Sequence, residues 1–169
     1  YIALDEATKA AAVEVVYGRS LYAGAANAST RLAGEVIGIL AARNPTQVQS
    51  GLRAALAVLD RLGFEPANGA GDIVYLAHCV SASGSYLSKA AGVSPGTALA
   101  YLIAPPLEGM YALDAALKAA DVGLCKLYKP PSETNFGGGL LSGTQSACEA
   151  ACEAFAEAVK EVAERPKEL

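Results

Sequence analysis

Few side chains in this chain are of a type that does chemistry, and their spacing limits them further. His78 is the single histidine among 169 residues and tryptophan is absent, which removes most schemes of imidazole acid–base catalysis and any His-rich metal site. The cysteines at 79, 125, 148 and 152 have no CxxC spacing and no secretory context, so reduced thiols packed as small apolar groups are expected. His78 and Cys79 alternate on an expected strand and face opposite ways, which prevents joint ligation. Cys148 and Cys152 lie one helical turn apart, but no second pair of ligands matches them, so core packing is expected there too. Glu149, Glu153, Glu157 and Glu161 recur every four residues, the pattern of a solvated helix face. The run Gly137, Gly138 and Gly139 is no phosphate cradle, because neither GxxxxGK[ST] nor GxGxxG is present. It closes an expected loop, KPPSETNFGGG, and three glycines there predict a backbone able to change conformation.

The elements that position these residues come from a repeat. Ala3 to Val13 reads ALDEATKAAAV and Ala112 to Val122 reads ALDAALKAADV, with eight of eleven positions identical at an offset of 109. The Leu, Asp, Lys and Val matches in register indicate a duplication rather than shared composition. Each copy reads helix, strand, loop, strand, helix. In the first copy, strands at 13–17 and 34–40 flank a small-residue loop (Ser20 to Ser29, SLYAGAANAS), and a helix follows from Pro45 to Leu62. In the second, the strands are 122–128 and 140–143 and the last helix runs from about Gln145 to Glu164. Ahead of the second copy, Asp72 to Ser81 and Ala98 to Ala104 read as strands, with a helix from Gly84 to Ala91 capped by Gly92 between them. The first copy has no counterpart to that half, so roughly 40 or more residues are expected upstream of Tyr1, by the logic of repeats. The expected division is 1–66 for the C-terminal half of a first domain and 67–169 for a whole second one. The fold class expected is α+β: tandem ferredoxin-like domains, antiparallel sheets with helices packed on them. Two small-residue loops at equivalent places could meet around an oligomer axis.

Composition sets the outer bounds. Alanine supplies 36 residues and glycine 17, which suits close helix-on-sheet packing and high helix propensity. An apolar content of 53% excludes a disordered chain. The net charge of -4 with scattered bases leaves no footprint for nucleic acid or an anionic membrane. No apolar run is long enough to span a bilayer, so a cytoplasmic protein is expected.

The segments YGRSLYAGAANAS (17–29), GSYLSKAAG (84–92), AYLIAPPLE (100–108), YALDAALKAADV (111–122), PPSETNF (130–136) and GTQSACEAACEAFAEAV (143–159) together resemble a known family. It is that of the tandem, circularly permuted shell proteins of the ethanolamine-utilisation bacterial microcompartment. The resemblance covers nearly all the chain. It implies two permuted BMC domains, a homotrimer that imitates a hexamer, assembly with other shell proteins around ethanolamine ammonia-lyase, and a gated pore for small metabolites. It also implies pore loops carrying Tyr22, Gly24, Asn27, Asn135, Phe136, Gly137 and Gly138, and no catalytic or metal site. An ethanolamine-binding small pore would use Glu35, Phe64, Glu108 and Thr134, with carboxylates for the ammonium, an aromatic face against it and a hydroxyl for the alcohol. Cobalamin is a second ligand that the resemblance implies. The physical reading of the residues keeps two other classes open: a trimeric ferredoxin-like small-molecule sensor, and an enzyme using Glu108 or Glu35 as base. The lack of a nucleophile paired with a histidine argues against the enzyme.

Overall fold

The computed structural model describes residues 1–22, 35–130, 132 and 134–165, leaving aside the side chain of Glu35. The elements are α1 (Ile2–Ala10), β1 (Glu14–Leu21), β2 (Glu35–Ala41), α2 (Pro45–Leu59), β3 (Glu65–Pro66), β4 (Val74–Val80), α3 (Ser85–Ala91), β5 (Ala98–Ala104), α4 (Pro106–Ala119), β6 (Val122–Tyr128), β7 (Gly137–Gly143) and α5 (Gln145–Glu164). They group into two compact units, residues 1–63 with 82–97 and residues 64–81 with 98–169. These units follow contacts whereas the expected 1–66 and 67–169 division follows repetition, so the two divisions answer different questions.

In the second unit a five-stranded antiparallel sheet has the order β3-β4-β5-β7-β6, and α4 and α5 pack on it. Its core joins Tyr75, Leu102, Leu113, Leu141, Phe155 and Val159 to a bed of alanines that includes Ala100, Ala104, Ala112, Ala116 and Ala151. Methyl groups facing methyl groups let the helices sit low on the sheet. A fully buried side chain such as Phe155 adds about 1.5–3 kcal/mol of burial there. Helix α5 starts where Thr144 Oγ1 accepts from the Ala147 amide at 3.2 Å, a side-chain N-cap. Helix α2 of the other unit is capped by Asn44 Oδ1, which accepts from the Gln47 amide at 3.0 Å, with Pro45 pre-set in its first turn.

The first unit pairs β1 with β2 in a two-stranded sheet. Helix α1 lies beside α2 and α3. The duplication is visible in backbone detail. The β1–β2 ladder slips between Val15 and Tyr17, and the β6–β7 ladder slips between Leu124 and Lys126, so Val16 and Cys125, 109 positions apart, are the same bulge. Ala11 and Ala120, also 109 apart, both leave their helices in extended backbone. Leu4 packs tightly over Gly38, and its counterpart Leu113 is in van der Waals contact range of Gly139.

Three expectations change. The helix at 84–91 does not join the sheet of the second unit. As α3 it packs on α1, because Asp5 and Thr8 accept from its unpaired N-terminal amides: Gly84 N to Asp5 Oδ2 at 2.7 Å, Leu87 N to Asp5 Oδ1 at 2.8 Å and Ser85 N to Thr8 Oγ1 at 3.0 Å. Amides at the start of a helix have no partner within it, which is why a carboxylate from another helix is held there. Asp5 is only 1% exposed. The second change is the two-residue strand β3, which sequence periodicity did not signal. The third concerns Gly137, Gly138 and Gly139, which are buried members of β7 paired with Ala104, Ile103 and Leu102 rather than a free loop.

Candidate functional site

The residues expected to form a ligand site lie on different elements, and those of the second unit are brought to one region. Phe64, just ahead of β3, is exposed and stacks on Phe136 with ring centroids 5.2 Å apart and planes 35° from parallel. Offset aromatic pairs of this kind add about 0.5–1.5 kcal/mol beyond their area. Phe136 is itself buried, and Ser132 Oγ accepts from its amide at 3.1 Å and donates to its carbonyl at 2.6 Å. This pair of hydrogen bonds spans Thr134, half-buried, and Asn135, whose φ of 59° places it in the left-handed region where asparagine is tolerated. Glu108 sits half-buried in the first turn of α4, where a carboxylate is favoured by the helix dipole. The same turn abuts the end of the loop. A methyl group on Gly109 would meet the Gly137 carbonyl at 2.6 Å, so only glycine lets α4 approach β7 this closely.

Phe64 reaches this loop through its stack on Phe136, Thr134 lies within it, and Glu108 belongs to the helical turn whose Gly109 abuts Gly137 at the loop's end. Glu35 opens β2 opposite Leu21 in the first unit. The side chain of Glu35 lies outside the described residues, as do Gly24 and Asn27. Of the expected pore residues, Tyr22 is exposed at the end of β1 and Asn135 is exposed in the loop. Phe136, Gly137 and Gly138 are buried, held by the aromatic stack and by strand pairing. Phe64 lies on the surface rather than in the core.

The reactive groups behave as packing residues. Cys148 and Cys152 are buried in the helix-facing core and Cys79 packs against it. Burial pushes the Cys79 thiol from an ordinary 9.0 up to about 11, and that of Cys152 up to about 12. A folded-state value above the unfolded one means the native state holds its protons longer. Their contribution to stability is present below about pH 9 and is lost as pH rises through 11 to 12. Alkylation of Cys79 resolved by peptide mass is expected to be slow at pH 8 and to quicken with each pH unit. Fast labelling at pH 7 would show the site is open. His78 pairs with Tyr101 in the β4–β5 ladder while Cys79 turns to the core, the alternation expected of them. Glu149, Glu153, Glu157 and Glu161 are all exposed. Among the described residues no group of three or more His, Cys, Asp or Glu side chains is placed to hold a metal, and no helix is long and apolar enough to cross a membrane. At the sheet edge Tyr75 Oη donates to Glu65 Oε2 at 2.8 Å, and its phenol is raised by burial first and by that carboxylate second.

No family model matches the chain. A bacterial microcompartment shell protein EutL from Clostridium perfringens is 66% identical over 167 residues, spanning 98% of this chain and 77% of the relative. The EutL shell protein of Escherichia coli is 55% identical over the same length, covering 76% of that protein. Among solved structures, ethanolamine utilization protein EutL from Leptotrichia buccalis superposes with a TM-score of 0.92 at 64% identity, over 99% of this chain and 77% of that one. EtuB from Clostridium kluyveri, at 22% identity and a TM-score of 0.80, shares the fold.

Proposed function

Because the chain belongs to the EutL family of bacterial microcompartment shell proteins, we propose that three copies assemble into a tile that imitates a hexamer and surrounds a gated pore for small metabolites. Its role is structural, in the shell of the ethanolamine-utilisation compartment and alongside other shell proteins. The observation that carries the proposal is the doubled α–β–β–α order, α1-β1-β2-α2 and α4-β6-β7-α5. A chain holding two equivalent wedges closes a six-fold-like ring with three copies. The segments after β1 and β6 occupy equivalent places in the repeat, and in this reading they border the pore. The shell encloses ethanolamine ammonia-lyase and carries out no chemistry itself. The domain boundary at 66/67 marks the duplication. The comparisons give no support to a trimeric sensor.

Sedimentation and electron microscopy of the purified protein test the assembly: a trimer that grows into flat sheets or tubes is expected, and a monomer at high concentration overturns it. For the ligand, the reading is that Glu108 pairs with the ammonium of ethanolamine, Thr134 bonds its hydroxyl and Phe64 lies against it. Glu108→Gln should weaken ethanolamine binding by calorimetry at least about tenfold, since a charged hydrogen bond contributes about 1.5–3 kcal/mol. Thr134→Ala should weaken it by less. An unaltered affinity removes the residue concerned from the site.

A further inference from the structure

One side chain that touches no ligand in the reading above holds the segment that does. Ser132 Oγ accepts from the Phe136 amide at 3.1 Å and donates to the Phe136 carbonyl at 2.6 Å. A single hydroxyl thus meets both backbone groups of a buried residue. Thr134 and Asn135 lie between its ends, with Asn135 in the left-handed region. From Phe136 the restraint spreads two ways. Its ring stacks on Phe64 at 5.2 Å, and the residue after it, Gly137, carries the carbonyl that lies against Gly109. Over Gly137 itself, a Cβ would meet Met110 Cε at 3.2 Å and Pro130 Cγ at 3.3 Å, so the chain on entering β7 is packed by α4 and by the residue two positions before Ser132.

The carboxylate and the hydroxyl of the candidate site are therefore fixed by different means. Glu108 belongs to a turn seated backbone against backbone on β7, whereas Thr134 lies in the segment spanned by the Ser132 hydrogen bonds. Two polar groups that are each held in place set one separation, and a ligand that bridges them must match it. Resting on the reading that Glu108 and Thr134 take the two ends of ethanolamine, we propose that Ser132 is the positioning residue that sets this separation and so selects 1,2-amino alcohols over longer ones. Its hydroxyl proton is committed to the Phe136 carbonyl, so it acts through the loop. Without that hydroxyl the Phe136 amide and carbonyl lose their partner, and Thr134 is free to follow a ligand of either length.

The test measures binding of ethanolamine and of 3-amino-1-propanol to the 169-residue protein by calorimetry, well below its melting temperature. The wild type is expected to favour ethanolamine by at least about tenfold. Ser132→Ala should bring that ratio to within about threefold, while the Phe136 amide exchanges hydrogen at least about tenfold faster. Thr144→Ala removes the cap of α5 at the far end of β7. It should lower the melting temperature and keep the wild-type ratio, which separates positioning from a general loss of stability. A Ser132→Ala protein that discriminates as the wild type does, or whose Phe136 amide exchanges no faster, overturns the proposal, and so does an equal collapse of the ratio in Thr144→Ala. A wild type that binds neither amine is a different failure: it overturns the ethanolamine site itself, and this inference with it.

Discussion

Asp5→Ala is expected to lower the unfolding free energy by about 3–5 kcal/mol and the melting temperature by roughly 10 °C. The carboxylate is buried and accepts from two α3 amides, Gly84 and Leu87. Truncation to alanine leaves both amides without an acceptor in a place water does not reach, and that unmet demand exceeds the worth of either bond alone. Hydrogen exchange locates the damage, because α3 should loosen from α1 before the second unit responds. The internal control is Asp114, identical in sequence and 109 positions on. Asp114 is exposed and pairs with Lys118 at 2.5 Å, so Asp114→Ala should change stability by no more than about 0.5 kcal/mol. Equal losses at the two positions would sink the argument.

Gly138→Ala is the second large effect. With φ at 143°, Gly138 holds a backbone conformation that residues with a Cβ rarely adopt. An added methyl would stand 2.0 Å from the Leu102 carbonyl oxygen. No side chain can swing aside to make room, since the obstacle is the backbone of β5 itself. The substitution must part β7 from β5 in the middle of the sheet and should cost more than about 3 kcal/mol, enough to drive much of the protein into the insoluble fraction. Gly63→Ala meets nothing within 4 Å and should be silent in the same thermal melt. A soluble Gly138→Ala protein with an unaltered melting curve would refute this account of β7.

Much of this architecture was readable from periodicity and punctuation. Strands β5 and β6 and helix α5 fall where the apolar runs and the helical pattern place them. The repeat was legible because it keeps Leu, Asp, Lys and Val in register, and the matching bulges show that it extends to the backbone. What the sequence concealed was tertiary. Nothing local distinguishes Asp5 from Asp114, because the difference is whether α3 lies over it. Three adjacent glycines suggest freedom, yet here they answer a demand for close approach: glycine permits mobility and contact alike, and only neighbours decide. Of the candidate site, the residue types were legible and their surroundings were not. The aromatic, the acid and the hydroxyl were named from the resemblance, while the stacking of Phe64 on Phe136 and the Ser132 clasp depend on side chains brought together by folding.

The contact of Gly109 with Gly137 has a mechanical consequence. Elsewhere α4 rests on the sheet through methyl groups, which yield a little under load. At this point peptide meets peptide with no side chain between them. Close-packed interiors transmit displacement, and a joint without a cushion does so with the least slack. A small tilt of the turn that carries Glu108 must therefore push on the residue at which the Ser132–Phe136 loop enters β7, so the acid and the loop work as two ends of one short lever.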